Sequence, residues 1–353
     1  MDKNTIIEWL TDKNTSFLIG AGCSKCAGKP LMSELTTKVV EKLSVDGKKI
    51  IKELIGVDGQ SDPTVEDLTN QLLQLQRATQ QRKTSVIDGW NLDKINEEII
   101  LIQKSVVEII GQEWTSNQHH KDFLHRLSQN SKTPRDLFLL NYDTLIEASL
   151  EDLKLSYTDG FRGAENAFFD PSVYSVDDNK KHFNIYKLHG SINWTRQIDD
   201  TVRRKPSSAI SETDTRNVIY PAEQKYVQTQ YGVYEILLRL FRDRLKNDRP
   251  NNRLVVLGYS FSDEHINVAI EDGILSSGSN LTVYAFVGKS ISEARKKQLK
   301  EMADRCDNRF NVFVAKDEYI GGLNQEECLK VIKELDYSRF ENIVGLLTSK
   351  DHE

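Results

Sequence analysis

The chain has 353 residues, 38% hydrophobic and 28% charged, with 47 Lys+Arg against 53 Asp+Glu and a formal net charge of −6. That length lies between one large domain and two smaller ones, and the composition is that of a globular protein able to bury a real core. A mildly acidic chain with no long basic run is a poor nucleic-acid binder, and no apolar stretch approaches the roughly 18 residues of a membrane span.

The opening segment, MDKNTIIEWL, lacks the basic-then-apolar layout of a signal peptide. Cys23, Cys26, Cys306 and Cys328 are too few and too scattered for a disulfide framework. A cytoplasmic, reducing setting is expected. Along the chain, residues 16–19 read as a strand running into Gly20-Ala21-Gly22, followed by a helical pattern at 32–43. Residues from about 46 to 130 carry no good strand but several helical stretches, such as 65–77 and 95–110, with apolar positions three and four apart. This reads as a helical insertion. A second strand, 136–140, ends at Asn141-Tyr142-Asp143 and precedes a helix at 144–153. A third, 183–188, ends at His189-Gly190-Ser191. The polar segment 195–217 reads as a loop, and 231–245 as a helix. Residues 253–257 end at Gly258-Tyr259-Ser260, 281–287 at Gly288, and 310–315 is a sixth strand. Helical patterns at 292–306 and 325–335 complete the series. Short runs, apolar nearly throughout, suit strands buried on both faces, and their alternation with helices predicts an open α/β sheet, mainly parallel. Ligands then sit beyond the carboxyl ends of the strands.

Chemistry is therefore sought at those ends. Gly20, Ala21, Gly22, Cys23 and Ser24, between a strand and a helix, have the layout of a nucleotide phosphate site. Glycines allow a sharp turn and close approach to a pyrophosphate, which meets backbone amides. The pattern is not a phosphate loop of the ATPase type, and a tight turn without ligand would look similar. Cys23 and Cys26 form a single CxxC; with no second pair, a four-cysteine zinc site cannot be assembled, and no metal is expected. Asn141 can orient a water or a hydroxyl without titrating, and His189 can accept a proton near neutrality. The histidines at 119, 120 and 125 fall in the helical insertion, His352 is near the end, and His265 reads as the start of a helix. Gly258, Tyr259 and Ser260 could hold a ribose or phosphate from the opposite side, with Asp263 as a helix N-cap.

In this order the residues resemble the sirtuin superfamily, and within it the bacterial sirtuin-like NAD-hydrolase branch of antiviral defence. Gly20 to Ser24 with Gly28-Lys29-Pro30 is similar to the GAGxS…GxP segment that cradles the NAD pyrophosphate. Asn141 and Asp143 match the N-x-D element, His189-Gly190 the catalytic histidine, and Gly258-Tyr259-Ser260 the glycine-serine turn on the adenosine side. The departures matter. The zinc ribbon of protein deacylases is missing, because no cysteine lies between His189 and Gly258. Leu31-Met32 stand where Phe-Arg usually follows, and Leu140 replaces a glutamine.

The resemblance implies a Rossmann-like parallel sheet flanked by helices in residues 1–45 plus 131–320, a helical insertion or small domain at 46–130, and C-terminal helices at 321–353 packed on the core. It also implies NAD as substrate, cleaved to nicotinamide and ADP-ribose by Asn141 and His189, with Asp143 orienting neighbouring groups. Partners implied are further copies of the chain and, in some systems, a hexameric DNA-translocase ATPase; no membrane and no direct nucleic acid are expected. The alternatives are a non-catalytic NAD or ADP-ribose sensor and a deacylase or ADP-ribosyltransferase.

Overall fold

Strands whose residues are apolar on both sides must be covered on both faces, and this chain meets that demand with one large sheet. The computed structural model describes residues 2–54, 63–82, 86–87, 89–129, 134–174, 181–197, 201–205, 217–219, 232–289, 291–315, 318–334 and 336–349. Eight strands form the sheet: β1 (Thr15–Ile19), β2 (Arg135–Leu139), β3 (Tyr157–Thr158), β4 (Phe183–Lys187), β5 (Arg253–Leu257), β6 (Thr282–Val287), β7 (Phe310–Val314) and β8 (Glu318–Ile320). Their order is β8-β7-β6-β5-β1-β2-β4-β3. Every pairing is parallel except β7 with β8.

The chain thus begins in the middle of the sheet, builds outward through β2 and β4, and then crosses back to lay β5, β6 and β7 on the other side of β1. The strand order reverses between β1 and β5. In open α/β sheets this is the place where the loops separate and leave a crevice.

Alternate residues of each strand go to opposite faces. Leu18, Phe138, Val256, Ala285 and Val312 join one core, covered by helices Val233–Leu245, Glu264–Leu275 and Glu293–Arg305. Phe17, Ile19, Leu137, Leu257 and Phe286 join another, covered by Lys3–Thr11, Gln118–Gln129, Leu145–Asp152 and Phe340–Thr348. A third core, made by helices Met32–Lys42, Val45–Leu54, Val65–Gln81 and Leu92–Gly111, buries Leu35, Val39, Leu68, Leu72, Ile95 and Ile102. Tyr142 and Ile192, from the strand ends, belong to that third core. The helical cap is therefore packed directly on the site region.

Two readings of the sequence need correction. Residues 195–217 were expected to be a loop. Instead Gly190–Arg196 and Val202–Arg204 are antiparallel strands of a second, five-stranded sheet that includes Asn217–Ile219, Ala167–Phe169 and Phe161–Arg162; residues 198–200 and 206–216 lie outside the described residues. These strands are held by pairing with one another and with chain up to 37 residues away rather than by an apolar run of their own, so local pattern is silent about them. Within this sheet, Arg204 pairs with buried Asp159 at 2.7 Å and Arg203 lies over the Phe168 ring. The 46–130 region, expected to lack strands, holds a short hairpin, Val86–Ile87 with Trp90–Asn91.

Candidate functional site

Four adjacent strands, β5-β1-β2-β4, end in the four motifs singled out from sequence, so the fold brings Gly258 to Ser260, Gly20 to Ser24, Asn141 to Asp143 and His189 into one row. The reversal point between β5 and β1 carries the two glycine turns. These turns pack backbone on backbone. The Gly20 amide donates to the Leu257 carbonyl (2.8 Å) and the Gly22 amide to the Gly258 carbonyl (2.9 Å). A β-carbon on Gly20 would lie 2.5 Å from the Gly258 oxygen, and one on Gly22 would lie 2.8 Å from the Gly258 α-carbon. Gly258 itself has φ +63°, which only glycine adopts without strain. The glycines are thus required by the fit of one turn to the other. The expectation that residues 20–24 offer their amides to a pyrophosphate is narrowed accordingly, because the Gly20, Gly22 and Cys23 amides all bond within the protein.

Residues 21–27 form a 3₁₀ helix that turns Ser24 inward, beneath the end of β2. Its hydroxyl is the centre of a buried relay. Asn141 Nδ2 donates to Ser24 Oγ at 2.7 Å, and the Ser24 hydroxyl donates to Asp143 Oδ2, also at 2.7 Å. The other Asp143 oxygen accepts the Leu145 amide at 3.1 Å, at the start of helix Leu145–Asp152. With its amide nitrogen fixed in this way, Asn141 presents Oδ1 as a buried acceptor that has no hydrogen-bond partner among the described residues. An unpaired buried acceptor costs about 1–3 kcal/mol, a cost that a donating hydroxyl or water would remove.

His189 ends β4, and Gly190 after it (φ +86°) turns the chain into the second sheet. The imidazole Nε2 stands 3.0 Å from Asp263 Oδ2, both side chains being buried. The remaining Asp263 oxygen caps helix Glu264–Leu275, accepting the amides of His265 (2.9 Å) and Ile266 (3.4 Å). The loop that carries Asp263 is braced. The Tyr259 hydroxyl accepts the Asp263 amide (3.1 Å) and lies 2.9 Å from the Asp263 carbonyl, to which it donates. Buried Phe261 adopts φ +57°, a conformation unusual for a side chain of that size. Tyr259, expected on the adenosine side, is therefore turned into its own loop, while Ser260 is exposed and donates to Ser262 (3.1 Å). Burial, then Asp263, pushes the Tyr259 hydroxyl well above its usual range, so it stays protonated.

Several supports went unnoticed in the sequence. Lys187, wholly buried, donates to the Asp143 carbonyl and lies 3.3 Å from Glu147, tying the end of β4 to the end of β2. A lysine inside the run FNIYKL was the available signal. Tyr142 donates from its hydroxyl to Glu66 (2.8 Å), joining the site strand to the N-terminus of helix Val65–Gln81. Lys29 reaches the Ile110 carbonyl (2.7 Å) and that of Gln112, anchoring the glycine segment to the end of helix Leu92–Gly111. His120, 1% exposed beside Phe340, is pushed down to about 4, first by burial.

The CxxC thiols are poor nucleophiles. Burial raises Cys23 well above its usual value and Cys26 to about 11, and Cys26 Sγ faces the Cys23 carbonyl at 3.3 Å. Among the described residues, no group of three or more His, Cys, Asp or Glu side chains could hold a metal ion, and no helix is long and apolar enough to cross a membrane.

Residues 135–306 match the family model of the SIR2-like domain, a span that includes Asn141, Asp143, His189 and Gly258 to Asp263 but not the first glycine turn. No curated protein matches the chain. Among solved structures it is similar to a Sir2 homologue in complex with NAD, at 13% identity over 94% of this chain and 93% of that one, with a TM-score of 0.41. It is also similar to a mutant Sir2 homologue in complex with 2′-O-acetyl ADP ribose, at 14% identity over 100% of both chains, with a TM-score of 0.42.

Proposed function

We propose that this chain, which carries a SIR2-like domain in residues 135–306, takes NAD as a substrate and hydrolyses its nicotinamide–ribose bond. The observation that carries the reading is the Asn141 acceptor, unpaired among the described residues, in one row of strand ends with His189 and the two glycine turns of the reversal point. NAD would lie across that crevice with its nicotinamide end toward Asn141.

Departure of nicotinamide neutralises its pyridinium charge and leaves an oxocarbenium-like sugar. Asn141 Oδ1 would accept from the attacking water or a ribose hydroxyl, oriented through the relay to Ser24 and Asp143. Neutral His189 would take the released proton, a contribution of typically about 10²–10⁴-fold. NAD+ and water give nicotinamide, ADP-ribose and a proton. The missing second CxxC pair supports hydrolysis over zinc-ribbon deacylase chemistry. An enzyme that destroys NAD would be toxic if always active, so the proposal includes restraint by self-assembly or by a partner, as in an NAD-depleting effector of antiphage defence.

The test is chromatographic detection of nicotinamide from purified chain and NAD, with and without candidate partners. Asn141→Ala and His189→Ala are each expected to abolish turnover while calorimetric NAD binding survives. Binding by the wild-type chain without nicotinamide release in any assembly would replace this reading with that of a sensor.

A further inference from the structure

His189 and Asp263 come from opposite ends of the row of strand ends. β4 and β5 are separated by β1 and β2, so at about 4.8 Å per strand their axes lie roughly 14 Å apart. The loop after β5 nevertheless reaches across to place Asp263 Oδ2 3.0 Å from His189 Nε2, with the two side chains 5% and 11% exposed. That reach is held by several independent features: the left-handed Phe261, the bonds between Tyr259 and both backbone groups of Asp263, and Asn267, whose side chain donates to the Phe261 carbonyl at 2.9 Å. Capping alone does not explain it. One oxygen of Asp263 receives the amides of His265 and Ile266, and a serine or asparagine would cap the helix as well. The second oxygen faces the imidazole.

We propose that Asp263 is a positioning residue for His189, acting on the reaction assigned above and resting on that assignment. Its carboxylate sits at a helix N-terminus, where the amides and the helix dipole favour the anion. Lying 3.0 Å from Nε2, it holds its charge against the ring while the imidazole accepts a proton from the substrate side. It then balances the imidazolium that this transfer creates, as the carboxylate does in serine hydrolases. Of the described groups near His189, Tyr142, with its ring centroid 6.4 Å away, is a neutral phenol whose hydroxyl engages the Glu66 carboxylate.

Asp263→Asn tests this, because asparagine keeps an oxygen for the cap and removes only the charge. Asp263→Ser, a capping residue that does not reach His189, is the second variant. Both are expected to fold with thermal midpoints close to wild type and to bind NAD. Turnover should fall about 10-fold or more with KM changed far less, and the acid limb of the kcat–pH profile should move down by about one unit or more, the size expected when an adjacent opposite charge is lost. The His189 imidazole resonance, identified by its absence in His189→Gln, should titrate about one unit or more lower in Asp263→Asn. That last readout needs no NAD cleavage, so it decides the proposal even if the wild-type chain proves not to hydrolyse NAD. An unshifted His189 titration in a folded Asp263→Asn protein, or wild-type turnover and pH profile in both variants, would show a helix cap and nothing more.

Discussion

Ser24→Ala is the sharpest test of the buried relay. The hydroxyl is 2% exposed and makes two 2.7 Å bonds, one accepted from Asn141 Nδ2 and one donated to the Asp143 carboxylate. Its removal leaves a carboxylate oxygen and an amide donor without those partners. Bonds to charged groups are worth about 1.5–3 kcal/mol, and an orphaned buried polar group costs about 1–3 kcal/mol, so a stability loss of around 3 kcal/mol is expected. The effect on rate has a different origin. Without the serine oxygen Asn141 is free to rotate, and a displacement of about 1 Å in a group that orients a reactant costs roughly 100-fold. Urea unfolding and nicotinamide release, measured on the same preparation of wild-type, Ser24→Ala, Asp143→Asn and the double variant, separate the two. In the cycle the Ser24–Asp143 coupling should exceed about 1 kcal/mol, as expected for side chains in direct contact. Additive stability effects and an unchanged kcat in Ser24→Ala would refute the relay.

The remaining expectations are simpler. Gly258→Ala places a β-carbon 2.5 Å from the Cys23 nitrogen at φ +63°, and Gly22→Ala drives one into the Gly258 backbone, so each should destabilise by about 1–3 kcal/mol in urea unfolding and weaken NAD binding together with folding. His120 titrates near 4 when folded against 6.5 ordinarily; the unfolded chain takes up its proton first as the pH falls. Stability from this residue is therefore complete above pH 6.5 and is lost as the pH drops toward 4, a change on the order of 3 kcal/mol that His120→Gln should flatten in urea midpoints taken across that range. Tyr142→Phe removes the 2.8 Å bond to Glu66 and should raise amide hydrogen exchange in helix Val65–Gln81 while leaving the main sheet protected; unchanged exchange there would mean the cap is held by its apolar core alone.

The large sheet could be read from the chain because its information is local. A strand buried on both faces needs a short run that is mostly apolar, and β1, β2, β4, β5, β6 and β7 each carry one within a residue or so of the expected bounds, whereas the edge strands β3 and β8, two and three residues long, are too short to show one. The second sheet could not be read in this way. Val202–Arg204 is a strand because Thr195 and Phe168 offer partners on either side, and no three-residue window of VRR states that. The same division runs through the site. Glycine, asparagine and histidine at strand ends announce themselves by position, whereas Lys187 beneath Asp143, Glu66 against Tyr142 and Asp263 against His189 are pairings between segments 44, 76 and 74 residues apart.

If the glycine turns served only to admit phosphates, their side-chain positions would open toward the crevice. They open instead onto each other, with β-carbon positions 2.5–2.8 Å from the opposing backbone, so the β1 and β5 ends are locked as one unit. Asn141 is then fixed to that unit through Ser24, and His189 meets it through Asp263. Each group assigned a chemical role is thus held by a turn from the far side of the reversal point or by the turn beside it. A ligand entering between them meets a preformed arrangement, which lowers the cost of binding in the reactive geometry. The helical cap is joined to the row by its shared apolar core with Tyr142 and Ile192, by the Tyr142–Glu66 bond, and by the Lys29 contacts at the end of helix Leu92–Gly111.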